Sequence, residues 1–252
     1  MKILLKIAYI GTAYCGYQVQ PNGISIQQKL NEAAKALFGF PCDIVGCSRT
    51  DSGVHANTYF ATYDLPEDIH QIPVNKLPGA LNSNLDDDIS VIDAKLVPDD
   101  FHVRHDVLQK EYVYVINTEK IRNPFDKNRV YYCPMDFDDE KLKLMNNAAN
   151  TITGKHDFKA FMSTGSDITD TVRNVKYVKA EKDGSYVRIY ACADGFLYNM
   201  VRIIAGTLLD AARGKLTCDD IRKALETGER SLLGQTLPPY GLYLNNVEFY
   251  PA

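Results

Sequence analysis

The chain has 252 residues, 45% hydrophobic and 24% charged, the balance of a soluble globular protein long enough for one large domain or two small ones. A formal net charge of −4 and a pI near 5.7 argue against a generally basic nucleic-acid binder. No apolar stretch is long enough to span a bilayer, and the six cysteines form no CxxC pair, so neither a zinc ribbon, a redox motif nor a disulfide framework is supported.

The charge is uneven. Residues 1–126 carry 11 basic and 16 acidic side chains, a net of −5, and residues 127–252 carry 17 and 16, a net of +1. A polyanion site must therefore be a local basic groove, or one completed by a second chain. Reduced cysteines and the lack of an apolar anchor point to the cytoplasm. The opening MKILLKIAYI reads as a first strand, because Lys6 interrupts the apolar run that a signal peptide needs.

After that strand, at 2–10, the spacing predicts an amphipathic helix over 25–38. Ser25 is its cap, Gln28 completes a capping box, Ile26, Leu30, Ala33, Ala34 and Leu37 fall on one face, and Gly39 with Pro41 ends it. Strands follow at 42–47 and 57–64, a short helix at 73–83 and a strand at 89–97. The order is β-α-β-β-α-β, a ferredoxin-like half. The second half repeats it. A strand at 109–117 leads to a helix at 138–152, then to a hairpin of 171–181 and 185–193 turning at Asp183-Gly184. A long helix runs over 196–213 with Asp194 as cap and Gly214 as stop. A short helix lies between Thr217 and Gly228, and a final strand covers 241–250. The expected fold class is α+β, two ferredoxin-like halves spanning 1–105 and 106–252 around a central mixed or antiparallel sheet.

One segment is dense in chemistry. Residues 46–56 read GCSRTDSGVHA, in which Asp51-Ser52-Gly53 makes a tight turn at a strand end and presents a carboxylate. Taken alone, an Asp in a turn most often bonds its own backbone. A phosphatase-type aspartyl nucleophile would want a second aspartate two positions on, which is absent. Ser52 and His55 sit too close in sequence for a catalytic triad, and an unrelated hydrolase using Asp51 or Ser52 would need a second acid or base.

The whole segment resembles the Arg-Thr-Asp-x-Gly-Val-His signature of the tRNA pseudouridine synthase A family. GYQVQ at 16–20, DDFHVRHD at 99–106, EYVYVI at 111–116, KHDFKAF at 155–161, GFLYNMVRIIAGTLL at 195–209 and GLYL at 241–244 resemble that family in the same order. The chain departs from the family pattern at Ser48, at Tyr17 and at 237–240, in segments expected to bear on contacts with RNA.

The resemblance implies an isomerase that turns uridine into pseudouridine in the tRNA anticodon stem-loop, at positions 38, 39 and 40, working as a homodimer without cofactor, metal or membrane. The reaction is redox-neutral, and carboxylates serve as nucleophiles against sugar carbons. The resemblance makes Asp51 the nucleophile, Arg202 its charge partner, Tyr112 the ring that holds the flipped uracil, and Arg49 a contact to phosphate or to the space that the base leaves. On spacing alone Arg202 reads as a solvent-facing helix arginine and Tyr112 as a core tyrosine sharing a strand face with Tyr114. The His102-x-x-His105 pair lacks further ligands and is expected to serve the fold or the RNA surface. A non-catalytic tRNA-binding protein on the same scaffold is the alternative, which the presence of Asp51, Tyr112 and Arg202 together disfavours.

Overall fold

The computed structural model describes residues 1–65, 72–165 and 167–251. The chain divides into two compact units, Met1–Leu108 with Tyr243–Ala252, and Gln109–Leu242.

The first unit contains β1 (Lys2–Tyr9), α1 (Ile26–Phe38), β2 (Val45–Gly46), β3 (His55–Asp64), α2 (Leu77–Asn82) and β4 (Ile89–Val97). β1 lies antiparallel between β4 and β3, and β2 pairs antiparallel with β3. This is the β-α-β-β-α-β order read from the sequence. Ile3, Leu5, Ile7 and Tyr9 alternate along β1 and are all buried, as are Ile26, Leu30, Ala33 and Ala34 of α1. Ser25 caps α1 by accepting from the Gln28 N–H at 3.1 Å, and Gly39, at φ +81°, stops it. The second half of the expected capping box is not formed: the Gln28 side chain donates to Glu32 instead, at 2.9 Å.

The expected strand at 42–47 shrinks to two residues because side chains take the backbone groups that a ladder would use. Asn31 accepts from the Ile44 N–H at 2.9 Å, and the Tyr17 hydroxyl donates to the Ile44 carbonyl at 3.0 Å. The helix expected at 73–83 begins as a 3-10 turn, Val74–Lys76, and becomes α-helical only with Pro78 in its first turn.

The second unit holds β5 (Val107–Asn117) from Gln109 onward, β6 (Tyr131–Tyr132), α3 (Asp139–Ile152), β7 (Gly154–Asp157), β8 (Val172–Asp183), β9 (Tyr186–Ala193), α4 (Met200–Ala212) and α5 (Cys218–Thr227). Its sheet order is β5-β9-β8-β7, antiparallel throughout, with β6 parallel to the end of β5. The hairpin turns at Gly184-Ser185, closed by the pair Asp183 and Tyr186, with Gly184 at φ +59° as a tight two-residue loop needs. α3 packs against β8 and α4. Asp138 caps α3, and Thr217 and Asp220 form a full capping box on α5.

The long helix starts four residues later than expected. Asp194 does not cap it; its carboxylate accepts from the Asn174 N–H at 3.0 Å and closes the end of the hairpin. The residue before the helix is Asn199, held at φ +61°. The final strand, β10 (Leu242–Phe249), runs parallel to the start of β3, with Tyr243 opposite His55 and Leu244 opposite Ala56. That pairing groups Tyr243 onward with the first unit, where the sequence suggested the second. None of the helices of the described residues is long and apolar enough to cross a membrane.

Candidate active site

Asp51 sits on the loop between β2 and β3 and is half-buried. Its own carbonyl accepts from the Val54 N–H at 3.1 Å, and Gly53 at φ +78° closes the turn. The loop is fixed from below by the segment after β1. The Tyr17 N–H donates to the Thr50 carbonyl at 3.1 Å, the Tyr9 and Thr50 hydroxyls lie 2.7 Å apart, and the Ser52 hydroxyl donates to the Tyr14 carbonyl at 3.2 Å. Two glycines permit this approach. A Cβ on Gly11 would overlap the Val54 carbonyl oxygen, and one on Gly16 would lie 2.5 Å from the Thr50 oxygen and 3.3 Å from the Asp51 carbonyl carbon. Gly16 also needs φ +107°, a conformation that side chains oppose.

His55 is fully buried, and its Nδ1 accepts from the Gly11 N–H at 2.9 Å, so that nitrogen carries no proton. The Ser52 hydroxyl, three residues before it, is engaged with Tyr14. Each of the two residues that a Ser52–His55 hydrolase would use is therefore committed to shaping the loop. Arg49, two residues before Asp51, is exposed.

Under the loop, the Tyr17 and Tyr59 rings stack at 4.4 Å. The Tyr59 hydroxyl donates to the Ser48 carbonyl and accepts from the Ser48 N–H. Arg104 donates to the Gly46 carbonyl at 2.8 Å. Burial pushes both phenols well above their ordinary pKa, which keeps them neutral donors. Tyr17, 1% exposed, is thus a core residue that supports the Asp51 loop rather than a surface for RNA, and Ser48 meets that support through its backbone.

In the second unit, Tyr112 lies on β5 opposite Ala191, 7% exposed, with its ring edge-on to Phe196 at 5.2 Å. Tyr114 is fully buried, and its hydroxyl donates to the Pro238 carbonyl at 2.8 Å. Arg202 stands in the first turn of α4, half-buried on a helix whose neighbouring positions are all buried, so the solvent-facing reading does not hold. Its Nε donates to the Leu237 carbonyl at 2.6 Å, and Nη1 donates to Asn199 Oδ1 at 2.5 Å. The Asn199 amide in turn donates to Ser163 Oγ at 3.0 Å. Asn199 was not singled out from the sequence. The signal was its place before an apolar helix, where a polar side chain ordinarily caps; here that side chain holds Arg202 instead.

Two glycines lay residues 234–237 on α4. A Cβ on Gly206 would overlap the Gln235 carbonyl oxygen, and one on Gly234 would lie 2.5 Å from the Gly206 backbone. That close approach puts the Leu237 carbonyl over Arg202. The departure from the family pattern at 237–240 therefore falls on residues that bond Arg202 and Tyr114 through their backbone.

Among the described residues, none of the His, Cys, Asp and Glu side chains form a group of three that could hold a metal ion. His102 and His105 build a turn: His102 Nδ1 faces the N–H groups of Arg104 and His105 at 3.2 and 3.3 Å.

Residues 148–250 match the family model described as tRNA pseudouridine synthase. The chain is 42% identical to "tRNA pseudouridine synthase A 2" of Clostridium perfringens over 98% of this chain and 99% of that one. It is 42% identical to tRNA pseudouridine synthase A of Caldicellulosiruptor bescii over the same shares. The Bacillus licheniformis protein of that name is 40% identical over 97% of each chain. A chain in the crystal structure of a Cbf5-Nop10-Gar1 complex is similar at a TM-score of 0.34 and 12% identity over 81% of this chain and 53% of that one, a likeness too slight to bear on the fold. With relatives this similar along nearly its whole length, the chain belongs to the tRNA pseudouridine synthase A family of isomerases.

Proposed function

We propose that this enzyme converts uridine to pseudouridine in the anticodon stem-loop of tRNA, at positions 38, 39 and 40, with Asp51 as nucleophile. The observation that carries the reading is the Asp51 turn, which sits within the family signature and is held by the backbones of residues 11–17. In the reaction the bond from C1′ to N1 of uracil breaks and one from C1′ to C5 forms. The proton on C5 leaves and N1 gains one. Attack on C1′, attack on C6 and formation of a glycal all require the carboxylate in its ionised form.

The remaining roles rest on the motifs that these residues share with the family. Arg202 supplies the cation that favours the ionised carboxylate. Tyr112 offers a ring to the flipped uracil, and Arg49 meets phosphate or the vacated stack. The protein acts in the cytoplasm as a homodimer, giving twice the chain mass by light scattering.

tRNA labelled with tritium at uridine C5 tests the activity. The enzyme should release tritium to water, and mapping should find the product at positions 38 to 40. Binding without release would favour the non-catalytic tRNA-binding alternative.

Asn199 acts as a positioning residue for Arg202. Glycine adopts φ +61° freely, so Asn199→Gly removes the acceptor without backbone strain. We expect kcat/KM to fall about tenfold, the worth of one hydrogen bond to a charged group. Asn199→Asp, which keeps an acceptor, should restore most of it. Equal losses in both variants would mean that the side chain matters only for folding.

A further inference from the structure

Ile121 and Phe125 are 84% and 77% exposed, more than any other large apolar side chain among the described residues. They stand four residues apart on the loop joining β5 to β6. This loop is not slack. Asn123 accepts from the Phe125 N–H at 3.1 Å and donates to the Tyr186 hydroxyl at 3.2 Å. Asp126 accepts from Asn117 at 2.6 Å and from Tyr186 at 3.2 Å. Arg129 donates to the Phe125 carbonyl at 2.5 Å, and Tyr132 to the Lys120 carbonyl at 2.9 Å. A loop pinned along its length holds two apolar side chains out in water.

Four exposed cations share the segment: Lys120, Arg122, Lys127 and Arg129. The acidic groups nearby are Glu119, Asp136, which lies 3.6 Å from Lys120 with both side chains more than four-fifths exposed, and Asp126, which is turned to Asn117 and Tyr186. An exposed aromatic among cations is the pairing that single-stranded nucleic acid uses: the ring meets a base and the charges meet phosphates. A two-fold dimer centred on this loop would instead set cations against cations.

We propose that residues 119–130 form a second RNA-binding surface. Phe125 and Ile121 pack against an unstacked base of the tRNA while Arg122, Lys127 and Arg129 meet its phosphates. The proposal rests on tRNA being the substrate. Tyr112 stands five positions before Asn117, where β5 ends, roughly 17 Å at the usual rise. The loop therefore touches RNA away from any base held at Tyr112 and contributes to binding, not to the chemical step.

Phe125→Ala tests this with unmodified tRNA transcripts. We expect Kd and KM to rise about tenfold, within the range for losing one base–aromatic stack, and kcat at saturating tRNA to stay within twofold. The double variant R122Q/K127Q should flatten the dependence of log Kd on log salt by about 0.7 to 0.9 per cation removed. Both variants should melt with the wild type and keep its mass by light scattering. An unchanged Kd overturns the proposal, and an unchanged Kd with an altered mass reassigns the loop to contact between copies of the chain. A wild type that binds tRNA through Phe125 but releases no tritium keeps this surface and removes the catalytic reading. One that does not bind tRNA removes both.

Discussion

Replacing Asp51 by Asn should abolish tritium release from labelled tRNA, lowering kcat by about 10⁴-fold or more, as expected when a reaction loses its nucleophile. The substitution is nearly isosteric. The turn survives it because the bond that closes the turn uses the Asp51 carbonyl, not its side chain. Contacts from Thr50 and Ser52 also support the loop, and these do not change. Stability should therefore hold within about 1 kcal/mol, and tRNA affinity within a few-fold, since phosphate contacts dominate binding. Asp51→Glu is the sharper companion. It keeps the charge but moves the carboxylate by a methylene, and misplacement of about 1 Å costs on the order of 100-fold. Normal turnover by Asp51→Asn would end the assignment of Asp51 as nucleophile, whatever the variant does to binding.

Much of the fold was legible because local chemistry and tertiary structure agree. Ser25, Asp138 and Thr217 cap the helices that they precede, and Gly39 and Gly228 stop them in the left-handed conformation that glycine takes without strain. β4 runs over the nine residues read as an apolar strand, because alternation and length leave no competing reading.

The misreadings share a cause. Asp194, Gln28 and Asn199 all sit where a cap would, and each spends its side chain elsewhere: Asp194 on Asn174 across the hairpin, Gln28 on Glu32 one turn along its own helix, and Asn199 on Arg202 in the first turn of α4. The strand before the Asp51 loop shortens for the same reason, with Asn31 and Tyr17 taking the Ile44 backbone. For Asp194 and Ile44 the partner is 13 or more residues away, which leaves no local mark; for Gln28 and Asn199 it is a turn away, and the local pattern allows the cap and the side-chain pair alike. In the candidate site, the signature pointed to Asp51 and Arg49 directly. The residues beneath it, Tyr9, Gly11, Gly16 and Tyr59, read only as strand or turn formers. Gly16 carried a visible hint, since it stands in a segment that resembles the family without holding any reactive group.

That hint leads to the largest expected effect on stability. Gly16→Ala meets two penalties at once. Its φ of +107° lies outside the conformations that alanine tolerates, at a cost of about 1–3 kcal/mol. Its Cβ, 2.5 Å from the Thr50 carbonyl oxygen, forces two backbones apart, for about 1–3 kcal/mol more. A total near 4 kcal/mol corresponds to a fall in Tm of roughly 10 °C for a chain of this size. Gly39→Ala isolates the first penalty: φ is +81°, and nothing lies within 4 Å of the new Cβ. It should cost only about 1–2 kcal/mol and leave kcat untouched, because Gly39 ends α1 and supports no part of the loop. The two variants should also part in activity. The Cβ of Gly16→Ala would lie 3.3 Å from the Asp51 carbonyl carbon, so the protein that does fold must move the backbone carrying Asp51. Measured well below its Tm, that variant should lose about 100-fold in kcat while binding tRNA nearly as well as the wild type. If Gly16→Ala were no less stable and no less active than Gly39→Ala, the close packing of residues 11–17 under the loop would not be what positions Asp51.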